Sequence, residues 1–292
     1  MAVKKLQQVL APPPAHMVGD GFRVHNFFPG GYTMDKRRMS PFFLLDYVSK
    51  MEFSPSETPR GVGAHPHKGF ETVTIAYHGR VAHEDSAGGK GVIREGDVQW
   101  MTAGSGLLHK EYHEREYSRT GGPFQMVQLW VNLPAKDKLT PPKYQSITHE
   151  SLGRYPLPAD GGTVEVIAGN FKGVRGPAST FTPVEVYDLK LCKGTVLTFD
   201  LPANYNTGIL AVEGSATING SDHLPLDHFA LFSNEGESIA LEAEEDAILL
   251  VLSGEPINEP LAAYGPFLMN THEQLAEAMS EFSKGKYGHL DE

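Results

Sequence analysis

The sequence predicts an all-β protein built from two similar halves. Its 292 residues include 31 glycines and 21 prolines spread along the whole chain, and these turn formers separate short runs rich in Val, Ile, Thr and Phe. Short apolar runs between turn signals are typical of antiparallel strands. Two stretches of the chain also show the same order of strands and turns, which indicates an internal duplication.

The first β sector lies between Phe70 and Leu133, where helical periodicity is absent. Its predicted strands are FETVTIAY, VAHEDS, VIREGDVQWMTAG, LLHKEYHE and PFQMVQLWVNLP. The second sector, Val184 to Val251, contains VEVYDLKLCKG, TVLTFDLPAN, TGILAVEGSATING, LDHFALFS and ESIALEAEEDAILLV. The segment TIAYHGRVAHED matches ILAVEGSATING, and EGDVQWM matches LDHFALF. Each pair places a turn and an apolar run in the same order, which supports the duplication.

This pattern divides the chain into two domains and a connection. We expect an N-terminal domain over residues 1–135 and a C-terminal domain over residues 183–292. The intervening residues 136–182 are rich in Pro, Gly and polar side chains, which predicts a linker or long connection.

One helix is predicted near the end of the chain. Thr271 and Gln274 have the spacing of a capping box, and Gly285 is a stop signal. The apolar residues between them recur at helical intervals: Leu275, Met279 and Phe282. We expect this short helix to close the C-terminal domain with its apolar stripe packed on a β sector.

Composition excludes several functional classes. Lys and Arg total 25 against 36 for Asp and Glu, and the net charge of −11 repels nucleic acid, so no direct nucleic-acid partner is expected. The single cysteine, Cys192, excludes an intramolecular disulfide and fits a reducing compartment. No secretory or transit signal and no membrane-length apolar run is recognisable. We therefore expect a cytoplasmic protein without a membrane partner. The absence of an obvious sticky strand or coiled coil favours a monomer.

Two histidines stand one residue apart in the motif AHPHKGFETV. In an extended chain His65 and His67 share a face, with Cα atoms roughly 6.5–7 Å apart, so both imidazoles can converge on one metal ion. Glu71 has the same parity if the extended geometry continues through Gly69. Any one such pair could arise by chance among 13 histidines, but a second pattern supports the metal site.

That second pattern is SGLLHKEYHE, in which His109, Glu111 and His113 alternate along another predicted strand. Imidazoles with a carboxylate suit Fe, Mn, Co, Ni, Cu or Zn, whereas Ca and Mg prefer oxygen ligands. A structural zinc site is disfavoured because no cysteine accompanies the set. Five other histidines are interpreted as turn, surface or surrounding residues, namely His25, His78, His83, His113 and His228.

Together these blocks resemble the pirin family of the cupin superfamily. The resemblance rests on HPHKGFETVT, AHED, GDVQWMTAGSGLLHKE, QLWVNLP and the late GPFLMNT, which cover nearly the whole chain in order. It implies a bicupin, with two antiparallel β-barrels of the jelly-roll type. Metal is expected in the N-terminal barrel alone.

The resemblance also implies which residues hold the metal. The expected ligands are His65, His67, His109 and Glu111, and the expected metal is Fe(II), with Mn, Ni, Co, Cu and Zn as alternatives. Glu71 is a ligand in most cupins, but in pirins the carboxylate comes from the second motif, so Glu71 is expected near the site without binding the ion.

The second sector supports this asymmetry. When the turn at His78 is matched to Glu213, the positions of the first metal motif fall on Asp200, Pro202 and Asn206. No His-x-His pattern survives there, so a metal-free C-terminal domain is expected.

The implied activity is that of a quercetin 2,3-dioxygenase. Three neutral imidazoles and one carboxylate leave a divalent ion with about one positive charge and, if octahedral, two open positions, which suits a deprotonated flavonol together with O2. Such an enzyme opens the flavonol's central ring with O2 and releases carbon monoxide. Glu111 is the candidate base for the 3-hydroxyl proton. Three side chains could line the pocket or belong to the core: Phe70, Met126 and Trp130.

Two other functions fit the same residues. Pirins also resemble iron-dependent, redox-sensitive regulatory adaptors that bind a transcription factor or a metabolic enzyme, and the acidic charge suits such protein contacts. A zinc or manganese cupin acting as an isomerase or hydrolase fits the ligand types but not the pirin-specific blocks.

Overall fold

The computed structural model describes residues 2–32 and 34–291, and most of these residues lie in antiparallel strands or the turns between them. The strands as far as residue 147 are β1 (Leu6–Leu10), β2 (His16–Val18), β3 (Phe22–Phe28), β4 (Phe42–Phe53), β5 (Gly61–His67), β6 (Phe70–His78), β7 (Val81–Asp85), β8 (Lys90–Ile93), β9 (Val98–Thr102), β10 (Leu107–His113), β11 (Gly122–Asn132) and β12 (Lys143–Ile147). The strands that follow are β13 (Gly153–Pro156), β14 (Gly162–Ala168), β15 (Asn170–Phe171), β16 (Val174–Arg175), β17 (Val184–Leu191), β18 (Val196–Asp200), β19 (Asn206–Glu213), β20 (Ala216–Ile218), β21 (Asp222–Leu224), β22 (Phe229–Phe232), β23 (Ser238–Ala243), β24 (Ala247–Gly254), β25 (Ala262–Tyr264) and β26 (Phe267–Met269). The α-helices of the described residues are α1 (Arg115–Thr120) and α2 (His272–Ser283).

The strand order confirms the internal duplication. One seven-stranded sheet runs β12-β9-β6-β11-β4-β3-β2 and accompanies a four-stranded sheet β5-β10-β7-β8. The other pair has the orders β1-β22-β19-β24-β17-β14-β13 and β18-β23-β20-β21. Each strand of the first pair has a counterpart at the same place in the second, so that β6, β9 and β11 recur as β19, β22 and β24.

Each pair of sheets encloses a hydrophobic core. In the second pair, Val164 and Leu189 of the seven-stranded sheet and Leu197 and Leu241 of the four-stranded sheet belong to one buried cluster. Two antiparallel sheets packed in this way form a jelly-roll sandwich. The predicted fold class, all-β with two jelly-roll cupin domains and a short C-terminal helix, is therefore confirmed, with open sheets in place of closed barrels.

The chain forms two compact units whose boundaries differ from the predicted ones. The first unit comprises residues 14–32, 42–149 and 257–292, and the second comprises residues 1–13, 33–41 and 150–256. Strand β1 pairs with β22 in the second unit, and β12 pairs with β9 in the first. The expected connection, residues 136–182, contributes β12 and also β13 and β14, which extend the sheet of the second unit.

The C-terminal helix belongs to the first unit. A capping box starts α2: the Thr271 hydroxyl accepts from the Gln274 backbone N–H, as predicted. Leu275 and Ala278 are buried in a cluster that reaches Leu108 of β10. The predicted stripe is only partly correct, because Met279 and Phe282 are exposed. The helix therefore supports the strand that carries His109. The sequence instead predicts a helix that closes the domain of residues 183–292.

A buried lysine joins the turn after His67 to the C-terminal segment. The Lys138 ammonium donates hydrogen bonds to the carbonyl oxygens of Gly69 and Leu268 (2.8 Å each) and to Oδ1 of Asn132 (2.6 Å). Burial lowers the pKa of Lys138 from 10.5 to about 7. All three acceptors would be left without this donor if the side chain were removed.

Replacing Lys138 with methionine is therefore expected to lower the free energy of unfolding by about 3 kcal/mol at pH 7. Because the native pKa is lowered, the unfolded chain binds more protons than the native protein between about pH 7 and pH 10. Lys138 thus makes the parent protein more stable as the pH rises through this window, and K138M lacks that gain. Urea unfolding at pH 7 and pH 9 should show a larger parent–variant difference at pH 9; an equal or smaller difference would contradict this assignment.

None of the helices in the described ranges combines the length and the hydropathy that a membrane-spanning helix requires.

Candidate metal centre

Three neighbouring strands of the first unit bring the metal motifs onto one face. Strand β10 lies between β5 and β7, and His109 stands opposite His65 on β5. Glu111, two residues further along β10, stands opposite His83 on β7. Directly opposed residues of antiparallel strands share a face, with Cβ atoms about 4.5–5.5 Å apart. The alternation predicted from the sequence therefore places the imidazoles and the carboxylate together.

The three predicted histidine ligands meet at one point. Their ring nitrogens include one from each of His65, His67 and His109 that lie within 4.8 Å of one another. The ring centroids of His65 and His109 are 4.2 Å apart, and those of His67 and His109 are 4.6 Å apart. Donor atoms bound to one transition-metal ion stand about 3 to 4 Å apart, so small side-chain adjustments suffice for binding.

Unsatisfied nitrogens indicate that these imidazoles fit a metal ion. His109 is fully buried, and neither of its ring nitrogens has a hydrogen-bond partner; Nδ1 of buried His67 also has none. A buried polar atom without a partner is costly, and its presence in a native structure points to a missing ligand. Nitrogen donors of this kind suit Fe, Co, Ni, Cu and Zn.

Burial also keeps two of the imidazoles in the metal-binding form. It lowers the pKa of His67 and of His109 well below the usual value, and the neighbouring histidines add to the shift. Both rings are therefore neutral at pH 7, as metal binding requires. In His65, Nδ1 lies 2.8 Å from the Gly63 carbonyl oxygen. A carbonyl only accepts, so Nδ1 carries the proton and Nε2 keeps its lone pair.

The carboxylate of Glu111 is held by two neutral donors. The Thr74 hydroxyl donates to Oε1 (3.2 Å) and the Gln128 amide donates to Oε2 (2.9 Å). Neither partner carries a positive charge, so the negative charge of Glu111 is available to an ion or a proton. One of its oxygens lies within 4.8 Å of donor atoms of His109 and His83. Of the three interpretations left open for His83, a turn, surface or surrounding residue, its burial beside these donors fits the last.

Glu71 lies on the other face of β6. Thr74 points toward Glu111, and residues at odd separations along a strand face opposite sides, so Glu71 points away from the site. The Thr102 hydroxyl donates to its Oε1 (2.8 Å), and burial raises the pKa of Glu71 to about 7. Glu71 does not share a face with His67, because the φ of +88° at Gly69 interrupts the extended backbone between them.

The other histidines have structural surroundings. His113 is buried among aromatic rings, and its Nε2 donates to the Gly21 carbonyl oxygen (2.9 Å). His78 ends β6, and its Nδ1 lies 3.7 Å from Oε1 of Glu95. His25 contacts the Ser49 hydroxyl, and half-buried His228 contacts the Leu226 carbonyl oxygen of its own turn.

Two of the three candidate pocket residues adjoin the site. The Phe70 and Trp130 rings are stacked with centroids 4.3 Å apart, and the His67 ring lies 4.9 Å from Phe70 and 5.2 Å from Trp130. Met126 belongs to a core cluster with Phe22 and Phe124 instead.

The corresponding place in the second unit is filled by apolar side chains. Strands β18 and β23 correspond to β5 and β10, and there Phe199 stands opposite Ile239 in the buried core. Of the positions matched to the first metal motif, Asp200 and Pro202 are exposed, and the Asn206 amide donates to the Ser40 carbonyl oxygen (2.6 Å).

Comparisons with known proteins agree with this architecture. The family model described as Pirin matches residues 21–131, and that described as Pirin C-terminal cupin domain matches residues 186–288. A Pseudomonas aeruginosa protein that carries the name "Putative quercetin 2,3-dioxygenase PA2418" is 44% identical over 285 residues, covering 98% of this chain and 99% of that protein. A tomato (Solanum lycopersicum) pirin-like protein is 37% identical over 255 residues, covering 86% and 83%.

A solved structure matches nearly the whole chain. The crystal structure of a quercetin 2,3-dioxygenase from Acinetobacter baumannii superimposes with a TM-score of 0.94 at 46% identity, covering 99% of this chain and 100% of that one. The two family matches, the relatives and the topology agree, and the chain therefore belongs to the pirin family.

Proposed function

We propose that this protein is a metal-dependent dioxygenase that opens the central ring of flavonols such as quercetin with O2 and releases carbon monoxide. The observation that carries the proposal is the group of buried imidazoles with unsatisfied nitrogens beside the Glu111 carboxylate. The relatives named quercetin 2,3-dioxygenase supply the substrate class.

In this proposal four residues hold the ion: His65, His67, His109 and Glu111. We infer iron(II) as the metal, although the donor set also accepts Mn, Ni, Co, Cu and Zn. A divalent ion held there would supply a Lewis acid that acidifies the flavonol 3-hydroxyl. The imidazoles would contribute neutral donors, so the carboxylate alone reduces the charge of the centre.

Glu111 has a second proposed role as the base that takes the 3-hydroxyl proton. Each of its oxygens accepts one hydrogen bond from the protein and can accept another, so a proton can be received without breaking the contacts to Thr74 and Gln128. Over the whole reaction both atoms of O2 enter the ring-opened ester. Two carbon–carbon bonds of the central ring break, and the carbon between them leaves as carbon monoxide.

The aromatic residues beside His67 offer a surface for a flat substrate. Phe70 is fully buried and Trp130 is half-buried, and their stacked rings adjoin the metal ligands. Flat aromatic ligands bind well against aromatic faces, so these two side chains are the proposed wall of the flavonol pocket.

The experiment is to purify the protein with its native metal, quantify Fe, Mn, Co, Ni, Cu and Zn, and follow the absorbance of added quercetin, first without O2 and then with it. We expect a metal-dependent shift of the quercetin band without O2 and loss of that band when O2 is admitted. Protein stripped with a chelator is the control. Bound metal without any consumption of quercetin would overturn the enzyme proposal.

An iron-dependent, redox-sensitive adaptor for a protein partner is the second candidate. The net charge of −11 and the relatives named only as pirin-like proteins favour it. It predicts stoichiometric iron with no quercetin turnover, so the same experiment distinguishes it from the dioxygenase. For both candidates we infer a cytoplasmic location and a monomer.

A further inference from the structure

His83 is a buried imidazole to which the proposed reaction gives no role. It stands opposite Glu111 in the β7–β10 pairing, and the His83 and His109 ring centroids are 5.4 Å apart. One nitrogen of His83 lies within 4.8 Å of donor atoms of both His109 and Glu111. These three donors therefore lie within the same 4.8 Å limit as the three imidazoles of the other set, and His109 belongs to both sets.

A carboxylate orients the His83 ring. Its Nε2 is 3.4 Å from Oδ2 of Asp85, and the exposed fractions of these two side chains are 0% and 2%. Asp85 is itself fixed, because its Oδ1 accepts from the backbone N–H groups of Ala87 and Gly89 (2.9 Å each). A carboxylate accepts the proton of Nε2, so the lone pair of the ring is on Nδ1. Metal-binding histidines are commonly held in this way by a carboxylate on the second nitrogen.

The Nδ1 lone pair of His83 has one hydrogen-bond partner among the described residues. The Gln99 amide lies 3.2 Å from Nδ1, and Oε1 of the same amide is buried without a partner. This contact is the one hydrogen bond that the described residues show for the Gln99 amide, so its displacement from Nδ1 would break no other. The Tyr144 ring stacks on His83 with centroids 5.2 Å apart and limits the movement of the imidazole.

We propose that His83 is a fifth protein donor to the metal, oriented by Asp85, so that the centre has four imidazoles and one carboxylate available. Bound in this way, His83 would add a further neutral donor without changing the charge of the centre. This proposal rests on the metal site of the proposed function and not on its substrate.

The test compares copper(II)-loaded parent protein with His83→Phe, and pulsed electron paramagnetic resonance counts the imidazoles bound to the ion. His113→Phe is the matched control, since His113 is also buried in the first unit but lies among aromatic rings. We expect one imidazole fewer in H83F than in the parent and no change in H113F. The affinity for cobalt(II) should fall about tenfold or more in H83F.

His83→Gln is measured beside H83F, because it keeps a polar side chain and covers the case in which H83F fails to fold. Circular dichroism of the metal-free proteins verifies folding. The same imidazole count in the parent and in both His83 variants would overturn the proposal, even if the cobalt affinity fell, since a merely positioning residue can also lower affinity. Failure of the parent to bind copper or cobalt would instead refute the metal site on which the proposed function depends.

Discussion

Replacing His109 with alanine is expected to abolish metal binding and to reduce quercetin turnover by about 1,000-fold or more, because a catalytic metal supplies several kcal/mol of transition-state stabilisation. His109 belongs to both groups of donor atoms, and both of its nitrogens are buried without partners. Its removal therefore takes one donor from each of the two groups at once. Metal content and turnover of H109A are compared with those of the parent.

The control for His109 is His78→Ala, which removes a half-buried histidine of the same unit at the end of β6. It should retain parental metal content and turnover. If H109A kept stoichiometric metal and parental turnover, the centre described above could not be the site of reaction.

Glu111→Gln is expected to lower kcat about 100- to 10,000-fold, since a positioned base contributes about that factor. Glutamine preserves the size of the side chain and an acceptor for Thr74, but it cannot take the substrate proton. In the observed orientation its NH2 group would face the NH2 group of Gln128, and two donors cannot bond to each other. Steady-state turnover and metal content are measured together, so that lost chemistry can be separated from lost metal.

Glu71→Gln is the matched control, because Glu71 is also a buried glutamate of the first unit but points away from the centre. Its pKa of about 7 means that a neutral side chain is already well populated at neutral pH. Turnover of E71Q should equal that of the parent. A loss in E71Q as large as that in E111Q would contradict the assignment of the base.

The strands that carry the proposed ligands could be predicted because the alternation that identifies them involves only residues close together in sequence. The alternation of His65 with His67 and of His109 with Glu111 needs only the two-residue period of a strand, and both patterns lie on strands in the structure. The duplication was also predictable, since the turns at Gly79 and Gly214 both require positive φ and mark the same place in each unit.

Other features of the structure depend on contacts between distant parts of the chain, which a local sequence pattern does not determine. His83 joins the centre through the register of β7 against β10, which its own neighbours in sequence do not determine. The direction of the Glu71 side chain depends on the backbone conformation at Gly69. The Leu268 carbonyl oxygen lies against Gly69, and the Lys138 ammonium donates to the Gly69 carbonyl oxygen. The placement of β1 and of α2 likewise follows from pairing and packing with residues far away in sequence.

The most direct measurement is the ratio of carbon monoxide released to quercetin consumed by the protein carrying its native metal. We expect one carbon monoxide for each quercetin, with neither process detectable in H109A. Quercetin loss without carbon monoxide, or bound iron without quercetin loss, would contradict the proposal that this metal centre is a flavonol dioxygenase.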